Sequence, residues 1–154
     1  MKKGKYIYEW PRPMVTVDAV IFKLDRGKPR VLLIQRGNEP FKGQWAVPGG
    51  FVDMDEDLLD AAKRELQEET SLTNIELEQF HTFGKPGRDP RGRNITICFF
   101  GIANPTQHAK AGDDAAKAKW FDIENLPANL AFDHDEVLKI AITKLKRNRP
   151  AWFI

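Results

Sequence analysis

The stretch NITICFFGIA, residues 94–103, constrains the fold more than any other part of the chain. Its apolar residues fall on both faces of a strand, whereas a strand with one face in water alternates apolar and polar residues. A strand of this kind has to be covered from both sides, so we expect it at the centre of a sheet. The rest of the chain must then provide flanking strands and covering helices.

The remaining sequence contains the elements of such a sheet. The β-branched, apolar runs at 14–24 and 30–36 predict two strands, and the turn DRGKP between them predicts a hairpin. Further strands are predicted at 75–83 and 117–123, and helices at 55–70 and 135–148. The stretch 37–50 is predicted to be a loop with a short extended piece at 45–47. The order β-β-loop-α-β-β-β-α predicts an α/β protein of the α+β kind, with a mixed sheet and helices packed on its faces.

The predicted helix at 55–70 has good helix formers, an Asp at its start and acidic residues in its first turn. Its residues Leu58, Leu59, Ala62 and Leu66 recur at helical spacing, so we expect them to form the buried stripe.

The length of 154 residues suits a single domain with a sizeable core. Tyr6, Tyr8 and Trp10 lie in an N-terminal segment and are expected to pack, and the apolar PAWFI end is expected to pack on the body or on a partner subunit. The expected divisions are an N-terminal arm at 1–13, the domain at 14–148 and a C-terminal tail at 149–154.

Composition excludes several classes of protein. The formal net charge of +2 is too small for a surface built to coat DNA. No stretch approaches about 18 consecutive apolar residues, and the N-terminus lacks the apolar part of a signal peptide. Cys98 is the only cysteine, so no intrachain disulfide can form, which fits a reducing compartment. We therefore expect a cytoplasmic protein with neither a nucleic-acid nor a membrane partner.

The loop GKPGRDPRGRNIT, residues 84–96, concentrates positive charge where Gly and Pro prevent a helix. A nucleic-acid patch, a phosphate clamp and a solvated hairpin tip all fit this composition. The small net charge argues against the first, and the loop alone does not separate the other two. Its basic residues are Lys85, Arg88, Arg91 and Arg93.

A second charged feature lies on the helix at 55–70. Glu65, Glu68 and Glu69 are spaced i, i+3 and i+4, so their carboxylates share one face. A solvated acidic face is one interpretation. The other is a site for a hard divalent cation, because oxygen ligands without His or Cys suit Mg²⁺. The Gly49–Gly50 pair that leads into the helix favours the cation site, because glycines let backbone approach a ligand.

The segment 49–72 resembles the signature of the Nudix hydrolase family. That signature is Gly, five residues, Glu, seven residues, then Arg-Glu-aliphatic-x-Glu-Glu-x-Gly-aliphatic. Ser71 stands where the family has Gly, at the end of the helix, where a left-handed conformation costs a non-glycine residue about 1 kcal/mol. We expect this departure to affect structure and not activity. The matching residues are Gly50, Glu56, Arg64, Glu65, Leu66, Glu68, Glu69 and Leu72.

The resemblance implies an α-β-α sandwich around a mixed sheet, and it implies a role for each matched polar residue. Arg64 would orient a glutamate, and Glu56 would lie near the metal, either as an additional ligand or behind the ligands. With Glu65, Glu68 and Glu69, these two residues would be the catalytic set. The cation would be Mg²⁺, with Mn²⁺ able to substitute, and the reaction would be attack of an activated water on a diphosphate linkage. The implied metal ligands are Glu65, Glu68, Glu69 and the carbonyl of Gly49.

Other segments resemble the ADP-ribose pyrophosphatase branch of the family, which also contains hydrolases of other nucleoside-diphosphate sugars. They are GRDPRGRNIT (87–96), GDDAAKAKWFDIENLP (112–127) and LAFDHDEVL (130–138). The resemblance implies cleavage of ADP-ribose to AMP and ribose 5-phosphate, by a homodimer. The N-terminal arms of such a dimer would cross over, so Tyr6, Tyr8 and Trp10 could alternatively line the partner's adenine site. Arginine forks suit the phosphate oxygens of such a substrate. The expected substrate-binding residues are Arg36, Arg88, Asp89, Arg91 and Arg93, with Asp89 alternatively fixing the turn.

Several alternatives remain open. A broader nucleoside-diphosphate-sugar or nucleoside-triphosphate hydrolase fits the same motifs, and so does a ligand-sensing Nudix module of a transcriptional regulator. The intact glutamates, and the few residues after about 150, favour an enzyme over a regulator. The general base could be Asp113 or Asp114, or the glutamates could suffice. His134 could line the pocket or cap the last helix, and we favour the structural role.

Overall fold

A computed structural model describes residues 4–112 and 114–148. The order of the longer elements predicted from the sequence is confirmed. The region predicted as a loop contributes two short strands, one at the predicted extended piece and one, not predicted, at Gly49–Phe51. The strands are β1 (Met14–Asp25), β2 (Lys28–Arg36), β3 (Trp45–Ala46), β4 (Gly49–Phe51), β5 (Leu77–Phe83), β6 (Asn94–Ile102) and β7 (Ala115–Asp122), and the helices are α1 (Leu58–Thr70) and α2 (His134–Asn148).

The sheet is mixed, as predicted. Its main path runs β3-β2-β1-β6-β5, while β4 pairs with β1 and β7 pairs with β2. The strands β1 and β6 run parallel, and the other pairs are antiparallel. The apolar strand β6 therefore lies between two neighbours, which confirms its expected central place.

The hairpin between β1 and β2 is also confirmed. Asp25 pairs with Lys28, and the two residues between them, Arg26 and Gly27, have φ angles of 50° and 77°. Two positive φ angles in a two-residue loop match the turn that suits the right-handed twist of paired strands.

The helices cover opposite faces of the sheet, and alternate residues of β1 face one helix or the other. Val20 and Phe22 belong to a buried cluster that includes Leu138 of α2. Ile21 belongs to a second cluster, which includes Leu66 of α1. This alternation follows the two-residue period of a strand and produces the α-β-α sandwich.

The first turn of α1 differs from the sequence prediction. The helix begins at Leu58 and not at residue 55, because Asp57 is the N-cap and its side chain accepts a hydrogen bond from the Leu59 N–H. Ala62 and Leu66 are buried as predicted, whereas Leu58 and Leu59 are only partly buried. A further alanine, Ala61, is fully buried.

The aromatic residues of the N-terminal arm are exposed in the described chain. Tyr6, Tyr8 and Trp10 expose 54%, 40% and 73% of their surface, and the two tyrosine rings stack on each other at 6.2 Å. The PAWFI tail lies outside the described residues. Within residues 4–112 and 114–148, no helix has the length and apolar character needed to cross a membrane.

The C-terminus of α1 has the conformation expected from the departure at Ser71. This residue has φ 61° and ψ 10°, and its N–H donates to the Gln67 carbonyl. Its hydroxyl also donates to the Lys110 carbonyl at 3.3 Å.

We predict that Ser71→Gly stabilises the fold relative to Ser71→Ala by about 1 kcal/mol, because glycine adopts a positive φ without strain. Both variants lose the hydroxyl, so their comparison isolates the backbone conformation. The free energy of unfolding from urea titrations measures the difference. Equal stability of the two variants would contradict the prediction, because it would show that the left-handed conformation costs alanine no more than glycine here.

Candidate active site

One cavity of about 440 Å³ gathers most of the residues that the sequence singled out. It lies among β1, β4, α1, the loop before β6 and the start of α2. Glu56 and Arg93 are not among its lining residues. The predicted site residues that line it are Arg36, Gly49, Arg64, Glu65, Glu68, Glu69, Arg88, Asp89 and Arg91.

The two glycines of β4 bring backbone into contact with the acidic face of α1. Gly49 pairs with Asp18 of β1, and its N–H donates to Glu69 Oε2 at 3.0 Å. A Cβ on Gly50 would lie 2.4 Å from the carboxyl carbon of Glu65, closer than any real contact of this kind. Glycine is therefore required for the carboxylates to approach β4.

Glu69 is the buried member of the acidic face, with 8% of its surface exposed. Burial raises its pKa to about 8, against the opposing hydrogen bond from Gly49, and the nearby charges of Glu65 and Asp18 raise it further. Glu69 therefore lies in a region with a surplus of negative charge, which a bound cation would relieve.

Arg64 organises the remaining carboxylates. Its Nε and Nη2 donate to the two oxygens of Glu56 at 2.6 and 2.9 Å, and its Nη1 donates to Glu65 at 2.7 Å and to Glu68 at 3.2 Å. The fork from Arg64 lowers the pKa of Glu56 to about 2. Glu56 thus anchors Arg64, and Arg64 orients Glu65, as the resemblance implied for the arginine.

The carboxylates of Glu65, Glu68 and Glu69 have the oxygen ligands that suit a hard divalent cation. Within the described part of the chain, no three His, Cys, Asp or Glu side chains are already assembled as a metal-binding group. Glu65 and Glu68 instead share the Arg64 guanidinium, and 43% of the Glu68 side chain is exposed. The donor set contains only oxygens, as Mg²⁺ prefers, and the buried carboxylate of Glu69 lacks an ion-pair partner among the described residues.

The basic loop between β5 and β6 is held in place by ion pairs. Arg88 donates two hydrogen bonds to Asp133, at 2.9 and 2.6 Å, and only 4% of its side chain is exposed. Burial alone would lower the pKa of Arg88, but the bonds to Asp133 raise it. Asp89 is buried and accepts from Arg91 and from Asn94. The structure therefore gives Asp89 the turn-fixing contacts that the sequence left as an alternative.

The arginines of the predicted substrate set differ in their placement. Arg91 lies over the rings of Phe51 and Phe132, with its Cζ 4.9 and 5.4 Å from their centroids. Arg36 lies 5.0 Å from the centroid of Phe132, and its Nε donates to the Pro40 carbonyl. Arg93 is exposed, and its Nη1 donates to the Gly84 carbonyl outside the cavity. The cavity thus receives Arg36, Arg88 and Arg91 but not Arg93.

His134 is the first residue of α2 and lines the cavity, and its ring contacts Val47 and Asp18. Its Nδ1 accepts from the Val47 N–H at 3.1 Å, and its Nε2 lies 3.8 Å from Asp18 Oδ1. Burial lowers the pKa of His134, although Asp18 opposes this shift. The neutral ring therefore carries its proton on Nε2, on the side of Asp18.

Sequence reasoning did not find several residues of the cavity wall. Asp18 is the clearest, because a carboxylate within the apolar run VTVDAVIF signals a buried polar site. Its Oδ2 accepts from Thr96 at 2.6 Å. Asp114 lines the cavity and accepts from Asn38, whereas Asp113 lies outside the described residues. The other unpredicted lining residues include Thr16, Asn38, Phe51, Asn94 and Phe132.

Comparison with known proteins identifies the family. The NUDIX domain model matches residues 12–139. An ADP-ribose pyrophosphatase of Methanocaldococcus jannaschii is 44% identical over 127 residues, which cover 82% of this chain and 72% of that protein. The ADPR responsive transcriptional repressor NtrR of Acinetobacter baylyi is 39% identical over 140 residues, which cover 89% of this chain and 56% of the repressor. This chain therefore spans little more than half the length of that relative.

Solved structures agree with this identification. The NUDIX domain of Shewanella oneidensis NrtR complexed with ADP ribose matches with a TM-score of 0.81 at 34% identity, covering 88% of this chain and 90% of that chain. A MutT/nudix family protein from Enterococcus faecalis matches with a TM-score of 0.83 at 32% identity, covering 93% of this chain and 66% of that chain. The chain belongs to the Nudix family, whose hydrolases act on pyrophosphate bonds.

The raised pKa of Glu69 predicts a pH-dependent stability in metal-free buffer. Between the unfolded pKa and the folded value of about 8, the native state binds more protons, so stability falls as pH rises. We expect the free energy of unfolding of the wild type to fall by about 1 kcal/mol between pH 7.0 and 8.5, relative to that of Glu69→Gln. Urea unfolding in EDTA at both pH values measures this.

The chosen pH window separates Glu69 from other groups. Because the pKa of His134 is lowered, its effect on the free energy of unfolding changes little above pH 7. Cys98 is present in both proteins, so its effect cancels in the comparison. Parallel pH dependence of wild type and Glu69→Gln would contradict the assignment of the raised pKa to Glu69.

Proposed function

We propose that this protein is a Mg²⁺-dependent pyrophosphohydrolase that cleaves ADP-ribose to AMP and ribose 5-phosphate, with Mn²⁺ able to replace Mg²⁺. The observation that carries the proposal is the juxtaposition in one cavity of the α1 carboxylates and the three arginines Arg36, Arg88 and Arg91. The similarity to the M. jannaschii ADP-ribose pyrophosphatase supports the choice of substrate.

The metal would be held by Glu65, Glu68 and Glu69 together with the carbonyl of Gly49. Bound there, it would lower the pKa of a water molecule and neutralise charge that develops on the bridging oxygens. Glu69 would be ionised in that state, because a nearby cation opposes the effect of burial on its pKa.

The chain's own residues would bind and orient the diphosphate. Arg36 and Arg91 present guanidinium groups to the cavity, and planar forks suit phosphate oxygens. Arg64 would keep Glu65 in place through the bond that it already makes. Asp114, at the same cavity, is a candidate for taking the proton of the attacking water, as are Glu65 and Glu69.

A second function has a specific observation in its favour. The similarity to NtrR and to the ADP-ribose complex of NrtR supports a module that binds ADP-ribose as a signal. The carboxylates favour the enzyme, because binding a diphosphate needs the arginines but not a buried Glu69. A broader hydrolase of nucleoside-diphosphate sugars or nucleoside triphosphates would use the same cavity. We also propose that the protein is a homodimer, which light scattering can test by measuring its mass in solution. A cytoplasmic location is a further proposal, and cell fractionation can test it.

Turnover separates these functions. We expect wild type with Mg²⁺ to convert ADP-ribose to AMP, with a higher kcat/KM than for other nucleoside-diphosphate sugars or nucleoside triphosphates. Glu69→Gln should lower kcat by at least about 100-fold, because it removes a charged metal ligand. Chromatographic detection of AMP measures the reaction. A fully active Glu69→Gln would refute the metal assignment, and binding of ADP-ribose without turnover under Mg²⁺ or Mn²⁺ would favour the sensor.

The placement of the arginines predicts an asymmetry between two neighbours in the loop. Arg91→Ala should raise KM for ADP-ribose about 10-fold or more, because it removes a fork from the cavity. Asp89 keeps two donors in that variant, the residue 91 N–H and Asn94, so the loop should persist. Arg93→Ala is the matched control and should change KM less than twofold. Steady-state kinetics test this, and equal effects of the two substitutions would contradict it.

A further inference from the structure

Phe132 has an unusual backbone conformation at the cavity wall. Its φ is 53°, which bulky side chains rarely adopt. Hydrogen bonds on both sides hold it there, because the Ala131 N–H donates to the Trp45 carbonyl and the His134 N–H donates to the Ala131 carbonyl. A strained residue that its surroundings hold in place is a candidate for a functional role.

The ring of Phe132 is fixed by its neighbours. Phe41 meets it edge-on with centroids 4.8 Å apart, and His134 lies 5.4 Å away in a tilted arrangement. Phe41 itself has a φ of 63°, so two bulky residues with positive φ pack against each other here. The ring is therefore oriented by tertiary contacts and only half-buried.

Two guanidinium groups lie over this one ring. The Cζ atoms of Arg36 and Arg91 are 5.0 and 5.4 Å from its centroid. Burial lowers the pKa of Arg36, and the positive charge of Arg91 lowers it further, so the two cations repel each other. The negative face of an aromatic ring attracts cations at such distances and offsets part of this repulsion.

The other contacts of the two arginines leave donors unused. Among the described residues, the Arg36 side chain makes one hydrogen bond, from Nε to the Pro40 carbonyl. The Arg91 side chain bonds to Asp89 through Nε and Nη2. Both Nη groups of Arg36 and Nη1 of Arg91 thus have no partner in the described chain. These are the donors that a diphosphate needs.

We propose that Phe132 is a positioning residue that holds the guanidinium groups of Arg36 and Arg91 together at the cavity, ready to bind a diphosphate. The inference rests on the proposed binding of a nucleoside diphosphate in this cavity. Phe132 acts on the ligand through the two arginines. It therefore contributes to affinity for the diphosphate itself, whatever group is attached to it.

This role differs from that of a stacking platform for a base. Positioning of the arginines affects every ligand with a diphosphate, including inorganic pyrophosphate. A stacking platform affects only ligands that carry adenine. Inorganic pyrophosphate, ADP and ADP-ribose together distinguish the two roles.

Three variants isolate the ring. Phe132→Asn removes it but keeps the backbone, because Asn tolerates a positive φ. Phe132→Tyr keeps an aromatic face. Phe121→Leu is the matched control, because the Phe121 ring carries Lys119 at 5.1 Å and is not part of the cavity wall. Thermal unfolding of each variant confirms that it is folded before binding is compared.

Isothermal titration calorimetry in EDTA gives a readout that does not depend on turnover. We expect Phe132→Asn to raise Kd for all three ligands by a similar factor, about 5- to 10-fold. Phe132→Tyr and Phe121→Leu should stay within about twofold of wild type. Wild-type affinity in Phe132→Asn, a loss confined to ADP and ADP-ribose, or a wild type that binds none of the three would overturn the inference. If the variants change Kd as expected but the wild type does not cleave ADP-ribose, the proposed reaction is refuted and the role of Phe132 is not.

Discussion

The close approach of β4 to both β1 and α1 is the constraint on which the site depends. A Cβ on Gly49 would lie 2.2 Å from the Val17 carbonyl oxygen, and one on Gly50 would collide with the Glu65 carboxylate. Only glycine allows a strand to occupy this gap. The Gly49 N–H is then free of β1 and donates to Glu69. This bond fixes the position of the acidic face of α1 relative to a strand of the sheet. A strand is a more rigid support than a loop.

The parallel pairing of β1 with β6 builds the floor of the same cavity. In this register Thr16 lies beside Thr96, and the polar side chains near the start of both strands bond to one another. Thr96 donates to Asp18 at 2.6 Å, and Asn94 donates to Thr16 at 3.2 Å. Buried polar groups are tolerated when they are paired in this way. Farther along, the same two strands are apolar and form the core, so one pair of strands supplies both the core and the site.

Periodicity predicted most of the fold, because β1, β6 and α1 each have a buried face that the sequence displays directly. The strand β4 could not be predicted, since three residues with two glycines have no strand pattern of their own and depend on pairing with β1. The acidic motif predicted which carboxylates lie at the site, but the sequence did not predict that Phe132 lines the cavity. Its conformation depends on hydrogen bonds with Trp45, which is distant in the sequence.

The basic loop shows why residue type alone did not identify the arginines of the cavity. Arg91 and Arg93 are two residues apart and chemically identical, yet only Arg91 lines the cavity. The difference arises from the buried Asp89, which accepts from Arg91, and from the ring of Phe51, which comes from β4. The bond to Asp89 is local, but the burial of Asp89 and the contact with Phe51 come from tertiary structure. The sequence therefore predicted a set of arginines without showing which of them line the cavity.

The charges of the cavity are arranged so that a metal and a diphosphate would strengthen each other's binding. Arg88 is balanced by Asp133 and Arg64 by Glu56, whereas Glu69 has no ion-pair partner among the described residues and Arg36 has none either. A cation bound near Glu69 and an anion bound near Arg36 attract each other, and such coupling is reciprocal. Under the proposed function, the arginines serve binding while the carboxylates serve turnover. A hydrolase and a ligand sensor can therefore share the basic half of this cavity, and the acidic half is where the two would diverge.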